Sequence, residues 1–119
     1  MKKVEPLELR KKWNDYLDWL VDKVERFPQK HKYVLGQRIL NTALDVLEQI
    51  IVIRYSSREE KSKKLPAFNL KLEVFRELMR IAWRKKIISD RSFLFQEYQT
   101  DQVGRMMHGL VVGNIKIRK

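Results

Sequence analysis

No cysteine occurs in this chain, which removes disulfides, thiolate metal sites and thiol nucleophiles together. Three prolines and four glycines are too few for the many turns of an all-β protein. There are two histidines, with no Gly-rich phosphate loop, no Gly-x-Ser-x-Gly and no cluster of metal-ligating residues. The longest apolar run, residues 50–53, falls far short of a membrane span. The first 13 residues carry two early lysines but no apolar stretch behind them, so they do not read as a secretory signal. These absences lead us to expect a cytoplasmic, non-enzymatic protein with no cofactor, no metal, no small-molecule substrate and no membrane partner.

What is present points elsewhere. At 119 residues and 44% hydrophobic, the chain suits one packed domain. Lys and Arg number 26 against 15 Asp and Glu, a formal charge of +11. The excess is uneven: +1 over residues 1–29, +4 over 30–65, +4 over 66–88 and +2 over 89–119. Such a balance favours a polyanionic partner, nucleic acid ahead of an anionic membrane.

Apolar spacing predicts four amphipathic helices. Pro6 suits a first helical turn, and Trp13, Tyr16, Leu17, Leu20, Val24 and Phe27 then follow at helical steps until Pro28 stops the run. Trp13, Tyr16 and Trp19 have the look of a base-stacking platform but more often such residues form core. The second helix is the stretch that opens on the Phe27-Pro28 break and continues to about Ser56, unusually wide in its apolar arc, with Leu35, Ile39, Ala43, Val46, Leu47, Ile50 and Ile53. Gly36 inside it implies a close helix approach or a kink. Residues 56–68, polar and containing Pro66, read as the one substantial loop, and its lysines 61, 63 and 64 as solvated charge. The third helix is expected to start near Pro66 or Ala67, with Phe68, Leu72, Phe75, Met79, Ala82 and Trp83 on its core face. Ser89 and Asp90 are good starters for the fourth, whose core face is Phe93, Val103, Met107, Leu110 and Val111. Residues 1–112 are thus expected to form an all-α, antiparallel up-down-up-down four-helix bundle, and residues 113–119 a basic tail.

Arg76, Arg80 and Arg84 stand at i, i+4 and i+8, extended by Lys85 and Lys86, and read as phosphate contacts along one helix side. Glu73 and Glu77 each sit three residues before an arginine and are placed to absorb part of this charge. Lys30, Lys32 and Arg38 form a second basic patch. Leu44 and Ile51 on the wide second helix, and Phe95 and Met106 on the fourth, are candidate homo-oligomer contacts. Arg26 and His31, with four residues between them, have the spacing used by HEPN-class four-helix RNases, but they straddle Pro28 at a helix junction, whereas that class places the pair at the start of a late helix. His108 reads as a packed or surface histidine.

Together these residues resemble a known family. Phe27-Pro28, Lys32-Tyr33, Leu35-Gly36, Arg38-Ile39, Leu47-Glu48 and Tyr55-Ser56 begin the pattern. It continues through Asn69, Leu72-Glu73, Arg76, Leu78-Met79-Arg80 and Ala82, and ends with Val103-Gly104-Arg105-Met106 and Gly109. Over roughly residues 10 to 112 this is similar to the accessory variability determinant (Avd) of diversity-generating retroelements. The four-helix proteins encoded in intervening sequences of bacterial 23S rRNA genes match less well. The resemblance implies a bacterial or phage-encoded, ring-shaped homopentamer of four-helix protomers. It also implies a non-enzymatic partner of a reverse transcriptase that binds RNA or DNA during mutagenic cDNA synthesis. The alternatives are an rRNA-associated protein without a polymerase, and a metal-independent RNase using Arg26 and His31. The chain departs from the family pattern at His108 and at Leu110-Val111-Val112, where glycine and Trp-Ile or Trp-Leu are usual.

Overall fold

The helix boundaries within the described residues follow from local sequence. The computed structural model describes residues 6–116. Helix α1, Pro6–Glu25, begins the described residues. It ends in a tightened turn in which Arg26 N–H donates to the Lys23 carbonyl and Phe27 N–H to that of Val24, and Pro28 takes the extended backbone. A single turn, Gln29–His31, and a π-helical turn, Lys32–Gly36, lead into helix α2, Gln37–Arg54. The expected second helix is therefore helical throughout but is not uniform.

Gly36 explains part of that irregularity. It is buried, and a Cβ placed on it would lie 2.8 Å from Val24 Cγ1 and 3.4 Å from the Phe27 ring. The last turn of α1 rests directly on the Gly36 backbone, which is the close approach the sequence implied.

Helix α3, Arg58–Arg84, starts about eight residues earlier than expected. Ser57 is its N-cap, its hydroxyl accepting from the Glu60 N–H at 3.3 Å, and Glu59 and Glu60 place negative charge at the positive end of the dipole. Pro66 sits inside the helix and leaves the Ser62 carbonyl without its usual donor. Of itself this costs about 3 kcal/mol, but the helix persists through its cap and its packed face. The predicted loop at residues 56–68 is thus almost entirely helix. Helix α4, Asp90–Lys116, is capped by Ser89, whose hydroxyl accepts from the Ser92 N–H. It continues past Gly113, where a tail was expected; residues 117–119 lie outside the described part.

Cross-helix contacts fix the topology. Gly104 meets Leu72, Arg76 reaches Glu97 and Trp83 reaches Asp90, so α3 and α4 run in opposite directions. Trp13 pairs with Ala43 and Val24 with Gly36, while Lys71 pairs with Asp45 and Lys64 with Ser56. Tyr16 lies against Phe95 and Lys12 over Tyr98. Every neighbouring pair is therefore antiparallel, and the four helices close into an up-down-up-down bundle of 52 × 24 × 20 Å. The core runs its full length, from Leu9 and Ile53 through Trp13, Phe75 and Met79 to Phe27 and Ile88. Trp13 is buried and donates its indole N–H to the Ala43 carbonyl at 3.0 Å, and Tyr16 and Phe75 pack around it, so the first-helix aromatics are core.

Candidate nucleic-acid interface

The arginine ladder does not stay on one side of α3. Four residues advance a helix by about 400°, so each rung turns about 40° further round. Arg76 is closest to the core side and faces α4, where its Nη2 donates to Glu97 Oε2 at 3.2 Å. Both side chains are only about one-quarter exposed, and Arg76 Nε is buried without a partner. Glu73, the acid expected to pair with Arg76, is not the partner. Arg80 is bonded to Glu77 within its own helix, as the spacing suggested. Only Arg84 points fully to solvent, with Lys85 and Lys86 beyond it.

Helix α3 ends in a Schellman motif: Lys86 N–H donates to the Trp83 carbonyl and Ile87 N–H to that of Ala82. This places Lys86 in the left-handed region, at φ 61°, a position that glycine usually fills. Trp83 is not core but half-turned to solvent, stacked on Phe93 at 4.4 Å and donating to Asp90 Oδ1 at 2.7 Å. Asp90 is thereby occupied by an indole, not by a cation.

Topology then joins the two predicted patches. The α1–α2 and α3–α4 connections lie at the same end of an up-down bundle. Lys30 and Arg38, exposed, and Lys32, half-buried, share that end with Arg84, Lys85 and Lys86. Residues 21–39 and 77–93, which make up this end, hold ten Lys and Arg against four Asp and Glu. Of the ion pairs among the described residues only Arg80–Glu77 lies here. The others, Lys11–Asp15, Lys63–Glu60, Lys71–Asp45, Arg76–Glu97 and Arg105–Asp101, lie along the body and towards the far end.

The remaining candidates separate. Leu44 is exposed and Ile51 half-buried on one outer side of α2, with the half-buried Leu40 and Leu47 beside them. Phe95 lies in the α1–α4 seam, its ring 4.7 Å from that of Trp19, and Met106 is half-buried against the core, so these two do not join the α2 face. Arg26 is exposed and His31 half-buried on either side of Pro28, and among the described residues no hydrogen bond links them. Among the described residues no three His, Asp or Glu converge to hold a metal, and no helix is long and apolar enough to cross a membrane.

Sequence reasoning missed a cleft of about 620 Å³ between α3 and α4, lined by Asn69, Glu73, Arg76, Gly104, Arg105 and Gly109 among others. These are residues of the family pattern, which marks the α3–α4 seam as a place where that pattern converges. A family model described as bAvd-like matches residues 7–112. The chain belongs to the bAvd-like family. That family is in general one of non-catalytic accessory proteins, and its match spans all four helices of this bAvd-like chain. No curated protein and no solved structure matches it.

Proposed function

We propose that this protein is the accessory subunit of a retroelement reverse transcriptase and that the basic end of its bundle holds the template RNA or the cDNA. The observation carrying this reading is the absence of ion pairing: of the ten Lys and Arg at this end, only Arg80 is paired among the described residues. Arg84, Lys85, Lys86, Lys30, Lys32 and Arg38 supply the phosphate contacts, with Arg80 at the margin and Arg76 assigned to the bundle. Contacts of this kind position a backbone without reading sequence. Self-association through the Leu44–Ile51 side of α2 would gather several basic ends around one ring, the pentamer that the resemblance implies, and act in the cytoplasm beside the polymerase.

The test is the salt dependence of oligonucleotide binding. Phosphate contacts release counterions, so log K falls linearly with log salt, at about −0.7 per contact on single strands. A steep negative slope is expected, and a flat one removes the mechanism. Co-purification with a reverse transcriptase tests the partner, and its failure while RNA binding persists favours the rRNA-associated alternative.

A further inference from the structure

Tyr33 stands apart from every other aromatic side chain. Trp13, Tyr16, Trp19, Phe75 and Phe95 pack on one another, and Trp83 stacks on Phe93. Phe27 and Phe68 are buried, while Tyr55 and Tyr98 each carry a cation over the ring. Tyr33 is 68% exposed and, among the described residues, neither an aromatic ring nor a cation covers it. Val34 beside it is 76% exposed. Both lie in the π-helical turn Lys32–Gly36, between Lys30 and Lys32 on one side and Arg38 on the other, at the basic end of the bundle.

The presentation is built, not incidental. Gly36, the last residue of the π turn, is pinned under Val24 and Phe27, so the turn is anchored to the core from below. A π turn is a rare departure from α geometry and occurs often at functional sites. Here it holds an aromatic face outward among cations that, among the described residues, no ion pair neutralises.

From this we infer that Tyr33 is a stacking platform for an unpaired base, so that the basic end selects single-stranded over duplex nucleic acid. The inference rests on the proposed polyanion site and adds its ligand class. In a duplex both faces of each base are occupied by neighbouring pairs, and only the phosphates are offered to this surface. A single strand offers phosphates to Lys30, Lys32 and Arg38 and a free π face to Tyr33. Stacking of this kind is tolerant of sequence, because every base has such a face.

The experiment is fluorescence anisotropy at fixed salt with a single-stranded RNA, a single-stranded DNA, their duplexes and an abasic strand of equal length. Wild type is compared with Tyr33→Ala and Tyr33→Trp. Tyr33→Ala is expected to weaken single-strand binding roughly 5- to 100-fold, the span of one lost base stack. Binding of the duplexes and of the abasic strand is expected to change less than about twofold, since their contacts are phosphate only. Tyr33→Trp is expected to keep single-strand affinity. Equal loss on all ligands, or no loss on single strands, overturns the stacking assignment even if wild type binds with a steep salt slope. No binding of any strand by wild type overturns the polyanion site itself and the stacking with it. Because Tyr33 is exposed, circular dichroism of Tyr33→Ala is expected to be that of wild type.

Discussion

The two ends of the bundle carry similar numbers of cations and treat them differently. At the far end, where α2 gives way to α3, Lys63 pairs with Glu60, and further along Lys71 pairs with Asp45. Glu59 and Glu60 sit in the first turn of α3, where they also favour the helix dipole. At the basic end Arg84, Lys85 and Lys86 follow one another with no acid in pairing distance among the described residues, and the nearby Asp90 is taken by Trp83. Lys86 also holds a left-handed backbone that glycine would adopt without cost. Crowded like charge and backbone strain both work against folding. Under the proposed function, the ligand would supply the missing negative charge at this end.

The sharpest way to break this comparison is to reverse charge at each end in turn. Arg84→Glu with Lys85→Glu and Lys86→Glu is expected to weaken oligonucleotide binding on the order of 100-fold or more, through loss of several phosphate contacts. The matching change at Lys61, Lys63 and Lys64 is expected to cost less than about a tenth of that effect, because those lysines lie a helix length away. Circular dichroism should report the same helicity for both. Equal losses would mean that net charge, not its placement, governs binding.

Next in size is Arg76→Met, which leaves Glu97 partly buried without its cation. We expect a stability loss of about 1–3 kcal/mol in urea unfolding, between the values for exposed and buried pairs. Oligonucleotide affinity at 25 °C should stay within about twofold, since Arg76 faces α4; a large affinity loss with unchanged stability would return Arg76 to the binding surface.

Lys86→Gly sharpens the comparison from the other side. Relief of the left-handed backbone is expected to raise stability by about 1 kcal/mol, while nucleic-acid affinity falls a few-fold with the lost contact. A variant that gains stability and keeps full affinity would show that Lys86 is not a ligand contact.

The smallest effect lies in the interior. The Tyr16 hydroxyl is buried without a hydrogen-bond partner, close to the Glu97 carboxylate. Burial, and secondarily Glu97, pushes the phenol well above its ordinary value of 10.0. The unfolded chain ionises near that value while the folded one keeps its proton, so the contribution is full below pH 10 and is lost as pH rises above it. Tyr16→Phe is expected to stabilise the bundle by up to about 1 kcal/mol at neutral pH and to flatten its alkaline loss, as read by thermal melts across pH 8–11.

Much of the bundle was legible in residue spacing. The 3–4 rhythm of α1 and α2, Pro28 just beyond the end of the first helix, and Ser89 at the start of the last all act as local physics predicts. The start of α3 lies earlier than expected because Pro66 suits a first helical turn, whereas Ser57 and Glu60 already carry the capping signal and the helix persists through the proline. Trp83 followed the core rhythm but came to rest on Phe93 at the rim, since the helix ends one residue later. The ladder was legible as a spacing, but its 40° drift per rung decides which arginine is free, and Glu97, 21 residues away, captures the first. The seating of α1 on Gly36 was legible in that glycine, but the π turn beside it was not. Likewise the union of Lys30, Lys32 and Arg38 with Arg84, Lys85 and Lys86 belongs to topology, not to either segment.

Lysine footprinting tests the central claim most directly. Acylation of each lysine is read by mass spectrometry with and without a saturating single-stranded oligonucleotide. The account predicts protection of Lys30, Lys32, Lys85 and Lys86, with Lys61 and Lys63 labelled as before. Protection centred on the far end, or spread evenly over the molecule, would contradict it.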